Sequence, residues 1–396
     1  MSETSTVVFK AGIPAATLTS TDGVSHFEYL PDYAGARLPA VATTLPVTST
    51  PITLNGGATP AFFAGLLPEG LRLNALARRI KTSQDNELAL LLEVGGDPIG
   101  DVQVLALGVQ PNTQSDALEI PKDAVGLDFN AIRGEYAGSR ASGLAGYQDK
   151  VSSRMLNAPA KFRDRDYILK LNPVDAPFVV ENEAFFMAKA QECGLGTATY
   201  QLLTDANGVN ALLLERWDRP VKDGLKKRLA AEDACQVLNL YPASKYDVSF
   251  ETAASALLDL CPAVGPGALA LFKQVVFAWL TGNGDVHTKN LSVLQTTDGE
   301  WRISPSYDLV STIFYDDRTM ALTADGLDSG WRRGTLLKVA ETLGLPSVVA
   351  NKVIDQLLGA LSALPGEILD GALPFPRHLN VKVSGLLKRR AEALVK

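Results

Sequence analysis

Residues 279–294 read W-L-T-G-N-G-D-V-H-T-K-N-L-S-V-L, and residues 301–311, after a turn, read W-R-I-S-P-S-Y-D-L-V-S. An apolar run from Ala268 to Leu280 predicts a helix that ends in this Gly/Asn-rich loop. Two short β-like runs follow, Leu291–Leu294 and Trp301–Ser304, joined across Asp298-Gly299, and Asp308 comes just after the second. Asp285 and Asn290 stand five residues apart, a spacing that suits opposite ends of one loop. Phosphotransferases arrange their parts in this way: one carboxylate takes the hydroxyl proton, an amide oxygen five residues on holds Mg²⁺, and a second carboxylate beyond a hairpin holds it from the other side. Magnesium takes hard oxygen ligands and keeps waters, so two side chains plus nucleotide phosphates suffice. Against this stands the plain alternative that Asp and Asn are common in loops because they make local turns. An isolated D-x-x-x-x-N carries little weight. Its place between an apolar helix and a hairpin with a further acid is what favours phosphotransfer.

The chain has 396 residues, room for two or three domains, and 46% of them are apolar. No apolar run approaches the roughly 18–20 residues that span a bilayer, and Met1–Lys10 lacks the basic start and apolar centre of a signal peptide. The three cysteines, Cys193, Cys235 and Cys261, are far apart and fit buried thiols in a reducing compartment. With only three histidines, His26, His287 and His378, a His-rich metal site is not expected. These features point to a cytoplasmic protein without a membrane partner. The net charge of −7 argues against nucleic-acid binding by the chain itself, and the short basic run Lys222–Arg228 reads as a solvated hairpin tip.

Residues 1–107 are expected to form an N-terminal α/β subdomain. Thr6–Lys10 and Ala16–Leu18 flank Gly12-Ile13-Pro14 as strand, turn and strand, and His26–Leu30 alternates like another strand, where His26 packs or faces solvent. Pro60–Ile80 reads as helix interrupted at Pro68, which lacks a backbone donor. Asn86–Glu93 reads as a second helix ending at Gly95-Gly96, and Asp101–Leu107 as a strand. Nothing here combines nucleophile, base and phosphate cradle, so the module is expected to pack or bind a partner. Gly108–Gly126 is polar, with scattered prolines, and reads as a linker or long loop.

Residues 108–217 are expected to form a β-rich nucleotide-binding lobe. In Ser142–Lys150, Gly143 and Gly146 permit close backbone approach to phosphate oxygens, though an ordinary turn has the same composition. Strand-like Val151–Leu156 follows. Asp166–Leu171 (D-Y-I-L-K-L) predicts a strand in which Lys170 either edges the sheet or points into a cleft. Glu181-Asn182-Glu183 opens a helix running to Gly194, and a strand lysine followed by a helix glutamate is the kinase ion-pair arrangement. Glu183 is the favoured partner and Glu181 the alternative. Thr199–Thr204 and Asn210–Arg216 form a hairpin around Asp205–Gly208, and the run Leu214–Arg219 falls where two lobes would join, placing Glu215 and Trp217 to meet an adenine ring. From Glu232 the chain is mainly helical, so residues 218–396 are expected to form an α-helical catalytic lobe.

With these runs in place, the chain resembles the HipA family of serine/threonine kinases, the toxins of bacterial toxin–antitoxin pairs. The resemblance rests on F-F-A-G-L-L-P-E-G (Phe62–Gly70), G-L-A-G-Y-Q-D-K (Gly143–Lys150), Y-I-L-K (Tyr167–Lys170), E-N-E (Glu181–Glu183), E-R-W-D-R (Glu215–Arg219), N-G-D-V-H-T-K-N (Asn283–Asn290) and Y-D-L (Tyr307–Leu309). It implies an α+β, bilobal protein-kinase-like fold with an added N-terminal subdomain and a helical C-terminal lobe. It implies ATP and Mg²⁺ as cofactors, Asp285 as catalytic base, and Asn290 and Asp308 as metal ligands. Lys170 would meet the ATP phosphates with Glu183 as its partner, Glu215 and Trp217 would line the adenine pocket, and His287 and Tyr307 would stand close by. Gly143, Leu144, Ala145, Gly146 and Gln148 would belong to the loop that closes over the nucleotide. It further implies a HipB-like helix-turn-helix antitoxin that brings the operator-DNA binding this chain lacks, and a protein target such as an aminoacyl-tRNA synthetase, with growth arrest as the outcome. One departure stands out: where family members can carry an autophosphorylated serine in this loop, the aligned position is Gly143, with Ser142 beside it and Ser152 and Ser153 further on. The rivals are a small-molecule phosphotransferase of the aminoglycoside-kinase type and a non-catalytic, kinase-shaped antitoxin partner.

Overall fold

The structure is a computed structural model that describes residues 4–111, 117–121, 124, 126–137, 155–222 and 224–395. Residues 4–106 build a five-stranded antiparallel sheet from β1 (Thr4–Lys10), β2 (Ile13–Thr21), β3 (Val24–Tyr29), β4 (Ile52–Asn55) and β5 (Val102–Ala106), in the order β4-β3-β2-β1-β5. Period-2 alternation gathers Val8, Leu18, Phe27 and Val104 in one buried core. Helices α1 (Pro31–Gly35), α2 (Ala61–Gly65), α3 (Gly70–Arg79) and α4 (Glu87–Val94) add Tyr33, Phe62, Phe63, Leu76, Leu88 and Leu91 to that core. The expected break at Pro68 falls between α2 and α3. The first turn is tighter than expected. Ala11 and Gly12, both at positive φ, make it alone, and Ile13 and Pro14 already belong to β2. A register shift between Val8 and Phe9 accommodates the proline opposite.

The second sheet, in the order β6-β7-β8-β10-β9, contains β6 (Leu118–Glu119), β7 (Leu156–Phe162), β8 (Arg165–Leu171), β9 (Tyr200–Thr204) and β10 (Asn210–Glu215). The stretch read as linker thus contributes a short strand, β6, parallel to β7. The strand expected over Val151–Leu156 falls mostly outside the described residues, and the described strand β7 begins where that one was to end. Pro159 is tolerated because β6 pairs only with Ala160 and Lys161, so the lost donor costs no ladder bond on that edge. Alternation sorts the two faces of this sheet. Leu169, Leu171, Ala211 and Leu213 pack with Phe129 and Ile132 of α5 (Phe129–Ala137), whereas Leu212 and Leu214 join the core that includes Phe186 and Met187 of α6 (Val179–Glu192).

The remaining chain is helical around one three-stranded sheet. After the hairpin β11 (Val221–Lys222) and β12 (Leu225–Lys226), strand β13 (Ala231–Asp233) pairs with β14 (Ser292–Gln295), which pairs with β15 (Trp301–Ile303). The helices are α7 (Ala234–Val237), α8 (Phe250–Leu258), α9 (Val264–Thr281), α10 (Arg333–Thr342), α11 (Ser347–Ala360), α12 (Leu364–Leu369) and α13 (Arg377–Val395). Helix α9 starts four residues earlier than expected. It reaches 18 residues, long and apolar enough by composition to cross a bilayer, but 67% of it is buried inside the protein, where it is the central core helix. Arg390 of α13 donates to the Trp279 carbonyl at 2.9 Å, with its guanidinium 4.1 Å from the Trp279 ring centroid, and so places a cation at the C-terminal end of α9.

The N-terminal module is joined to the connection after β10 by buried charge. Asp218, fully buried, accepts from Arg216 at 2.8 Å, from Arg219 at 2.6 Å and from the Gly100 backbone N–H at 2.8 Å. Both arginines also donate to the Pro98 carbonyl at 2.7 Å, and Asp97 pairs with Arg216, Arg219 and Arg228. Burial alone would raise the Asp218 pKa, but Arg216 and Arg219 outweigh it and hold the carboxyl below its ordinary value of 3.8. Asp218→Asn is therefore expected to destabilise the protein by about 3–5 kcal/mol, because it removes the fully buried counter-charge of two buried guanidinium groups and leaves them the half-buried Asp97; denaturant unfolding measures this. A depressed folded-state pKa contributes stability that is present above the unfolded value and is lost as pH falls through the folded one. The wild-type thermal midpoint should consequently drop as pH is lowered below about 4, and the variant should show a shallower acid dependence.

Candidate active site

Lys170 lies on β8, between β7 and β10, and so does not edge the sheet. Its cross-strand partner is Leu212, and like Leu212 it points to the face covered by α6. There the Lys170 ammonium meets the fully buried Glu183 carboxylate at 2.7 Å. On its other side it pairs with Asp308, whose side chain is 29% exposed. Burial pulls the Lys170 pKa down, but Asp308 and Glu183 outweigh it and hold the ammonium above the ordinary lysine range. Glu181, the alternative partner, instead accepts from Asn172 at 2.9 Å and Asn210 at 2.8 Å, and so fixes α6 to the sheet. Asn182 between them is fully buried and exchanges two hydrogen bonds with the backbone of Ser311, at 2.8 and 3.0 Å.

Asp308 adopts φ +55°, a left-handed conformation that aspartate tolerates better than most residues. The Asn290 amide donates to its second oxygen at 3.1 Å. Asn290 closes a 3₁₀ turn over Thr288–Asn290, and its own amide oxygen accepts from the His287 backbone at 3.2 Å. Glu183, Lys170, Asp308 and Asn290 thus form one continuous polar chain from the upper sheet to the lower body. One ammonium faces two carboxylates, which leaves an excess negative charge on the cleft side. An aspartate and an amide that both carry hard oxygens, side by side beside that excess, fit Mg²⁺ accompanied by phosphates.

Asp285 is buried in the same loop, and its backbone N–H donates to the Asn283 side chain at 3.0 Å. The Asn283 amide in turn donates to the Asp308 carbonyl at 3.3 Å. Two glycines shape this loop. Gly282 caps α9 at φ +74°, and a Cβ on Gly284 would lie 2.2 Å from the Thr319 carbonyl oxygen. The Gly284 N–H donates to the Thr312 hydroxyl at 3.0 Å. Asn182, Asn283 and Thr312 carry the geometry without standing among the expected site residues. The first two lay inside motifs that had been singled out, whereas Thr312 has no sequence signal. His287 is buried, with its ring edge-on to Tyr246 at 5.4 Å. Tyr307 stacks on Trp217 at 6.0 Å, and its hydroxyl donates to the Lys289 carbonyl at 2.8 Å, which brings the connection after β10 and the loop together. Glu215 is held by Arg165 on the rim. Gly143, Leu144, Ala145, Gly146 and Gln148, with Ser142, Ser152 and Ser153, lie outside the described residues.

A lysine within one sheet, reaching a helix glutamate above and an aspartate of a helical body below, is the central device of a bilobal, protein-kinase-like fold, and this chain has that fold. The family model for the HipA-like C-terminal domain matches residues 142–364 and that for the HipA N-terminal domain residues 6–105, and the chain belongs to the HipA family. It is similar to the Sinorhizobium fredii protein Y4mE, named as a candidate kinase, at 33% identity over 65% of this chain and 65% of the relative, so it spans just under two thirds of that protein's length. It is also similar to the serine/threonine-protein kinase toxin HipA of Shewanella oneidensis, at 25% identity over 80% of this chain and 77% of the relative. Among solved structures, a chain of the Shewanella oneidensis complex of HipA, HipB and its operator DNA shares the fold, with a TM-score of 0.75 and 20% identity over 98% of this chain and 97% of that one.

Because the Gly284 position has no room for a methyl group, Gly284→Ala should destabilise the protein by about 1–3 kcal/mol. Gly359→Ala, in α11 with open space around it, should stabilise by about 0.5–1 kcal/mol. Denaturant melts of the two variants side by side check both values.

Proposed function

We propose that this chain is an ATP- and Mg²⁺-dependent serine/threonine protein kinase and the toxin half of a toxin–antitoxin pair. The observation that carries the reading is the polar chain Glu183–Lys170–Asp308–Asn290 across the cleft. The hydroxyl oxygen of the target would bond to the γ-phosphorus as the bond to the β,γ-bridging oxygen breaks, and Asp285 would accept the hydroxyl proton. Lys170, shared between Glu183 and Asp308, has an ammonium to offer to phosphate oxygens while Glu183 keeps it in place. Asn290 and Asp308 would hold Mg²⁺, which supplies positive charge beside the phosphates. Trp217, stacked on Tyr307, and Glu215 would border the adenine.

Family membership and the similarity to a HipA toxin support an antitoxin partner of the HipB kind, a helix-turn-helix protein through which operator DNA would be reached. The net charge of −7 fits that division of labour. The target would be a cytoplasmic translation component such as an aminoacyl-tRNA synthetase, and its phosphorylation would arrest growth. Gly143 in place of a serine argues against silencing by autophosphorylation at that position.

Purified protein with Mg²⁺, labelled ATP and a cell lysate tests the reading, with Asp285→Ala in parallel. A discrete labelled protein is expected, and the variant should lose about 10²–10⁴-fold in rate. Label appearing only in small molecules would replace the protein target by a small hydroxylated acceptor. Transfer that does not depend on Asp285 would sink the catalytic assignment.

A further inference from the structure

The motif F-F-A-G-L-L-P-E-G, at Phe62–Gly70, sits in the N-terminal module, remote in sequence from the candidate active site, yet three of its groups contact the helical body. The Phe62 carbonyl accepts from the Gln236 side chain at 3.0 Å. The Gly65 carbonyl accepts from the Lys289 ammonium at 2.7 Å. Glu69 pairs with Lys245 through one carboxylate oxygen and lies 3.4 Å from the Lys289 ammonium through the other. The approach at Gly65 is close enough to need a glycine, since a Cβ there would fall 2.8 Å from the Gln236 Cγ.

Both lysines belong to the grip on the D-V-H-T-K-N loop. Lys289 is a loop residue, next to Asn290. Lys245 accepts with its backbone carbonyl from the Thr288 hydroxyl at 3.0 Å and the Thr288 N–H at 3.3 Å. The Lys289 ammonium finds its partners away from Asp308: Gly65 and Glu69 in the module, and Asp233 at 3.5 Å. The side chains are well covered, with 15% of Lys289, 9% of Lys245 and 25% of Glu69 exposed. Solvent therefore screens this cluster weakly, and deleting the Glu69 carboxylate takes away the ion-pair partner of Lys245 and leaves Lys289 with Asp233 and the Gly65 carbonyl.

We infer that Glu69 is a positioning residue for the catalytic loop: through Lys289 and Lys245 the N-terminal module holds residues 283–290 where Asp285 and Asn290 stand in register with Asp308. The module is then a built-in part of the phosphotransfer apparatus as well as a packing domain. For its effect on turnover the inference rests on the kinase reading, but the anchoring of the loop does not.

The test uses the full chain with Glu69→Gln and, separately, Lys289→Met. Amide hydrogen exchange reports anchoring without reference to any reaction. Residues 283–290 should exchange at least about tenfold faster in each variant, while the Asp97–Arg216 contact region stays as protected as in the wild type. In the phosphotransfer assay kcat should fall about 10–100-fold, with KM for ATP within about twofold, because the groups removed orient the loop and do not touch the nucleotide. The double variant should lose less than the product of the two single losses, since the Glu69–Lys289 contact is common to both. If Glu69→Gln does not fold, Lys289→Met, which leaves Glu69 paired with Lys245, decides alone. Unchanged exchange and kcat overturn the inference, as does an equal loss of ATP affinity and kcat, which would mark a general structural role. A wild-type protein without phosphotransfer sinks the kinase reading, and the exchange data still decide whether Glu69 anchors the loop.

Discussion

One ammonium group holds the cleft together. Lys170 is buried on a central strand, and a buried cation is tolerated only when it is paired and hydrogen-bonded. Its two partners come from different places, Glu183 from the helix over the sheet and Asp308 from the helical body. Satisfying this one charge therefore fixes the sheet, helix α6 and the segment after β15 relative to one another. The same helix carries Asn182, which locks Ser311 three residues beyond Asp308 with a reciprocal pair of bonds. The left-handed backbone at Asp308 is held between these two attachments.

The second constraint is the N-terminal module, whose grip on the rest of the chain includes two clusters of ion pairs. Asp97, Pro98 and Gly100 hold the arginines of E-R-W-D-R, and Gly65 and Glu69 hold the loop around Lys289. Each grip sets a half-buried carboxylate of the module, Asp97 or Glu69, against well-covered cations of the rest of the chain, so position is specified where a purely apolar contact could slide. The Trp217–Tyr307 stack links the connection, to which Trp217 belongs, with the loop, whose Lys289 carbonyl accepts from Tyr307.

Much of this was legible from local pattern. Helix α6, the β9–β10 hairpin and the hairpin after the D-x-x-x-x-N loop all follow from periodicity and turn residues. What local pattern could not supply was pairing across distance. Lys170 could have been an edge residue, and only the pairing of β8 with both β7 and β10 places it inside. The choice between Glu181 and Glu183 turned on helix phase, which Phe178 at φ +64° sets just before the helix begins. Strand β13 was not expected, because its partner β14 lies some sixty residues on. The run Lys222–Arg228 forms an exposed hairpin as expected, yet within it Lys226 and Arg228 also pair with Asp166 and Asp97. Those two pairings had no sequence signal, because their partners are remote along the chain. The module's role was missed for the same reason, since Glu69 and Lys289 carry no mutual signal in a single sequence.

The bond from Lys289 to the Gly65 carbonyl closes a loop of 224 residues. A ribosome adds roughly 5–20 residues per second, and domains fold as they emerge. The five-stranded module is complete by about residue 106 and can fold first, already presenting Gly65 and Glu69. The parts they will grip arrive tens of seconds later by that rate, and Arg390, which steadies the end of the core helix leading into the loop, comes later still. The cleft thus assembles onto a template that is already folded, and a chain interrupted between residue 106 and Asp233 would carry Gly65 and Glu69 without the lysines they grip.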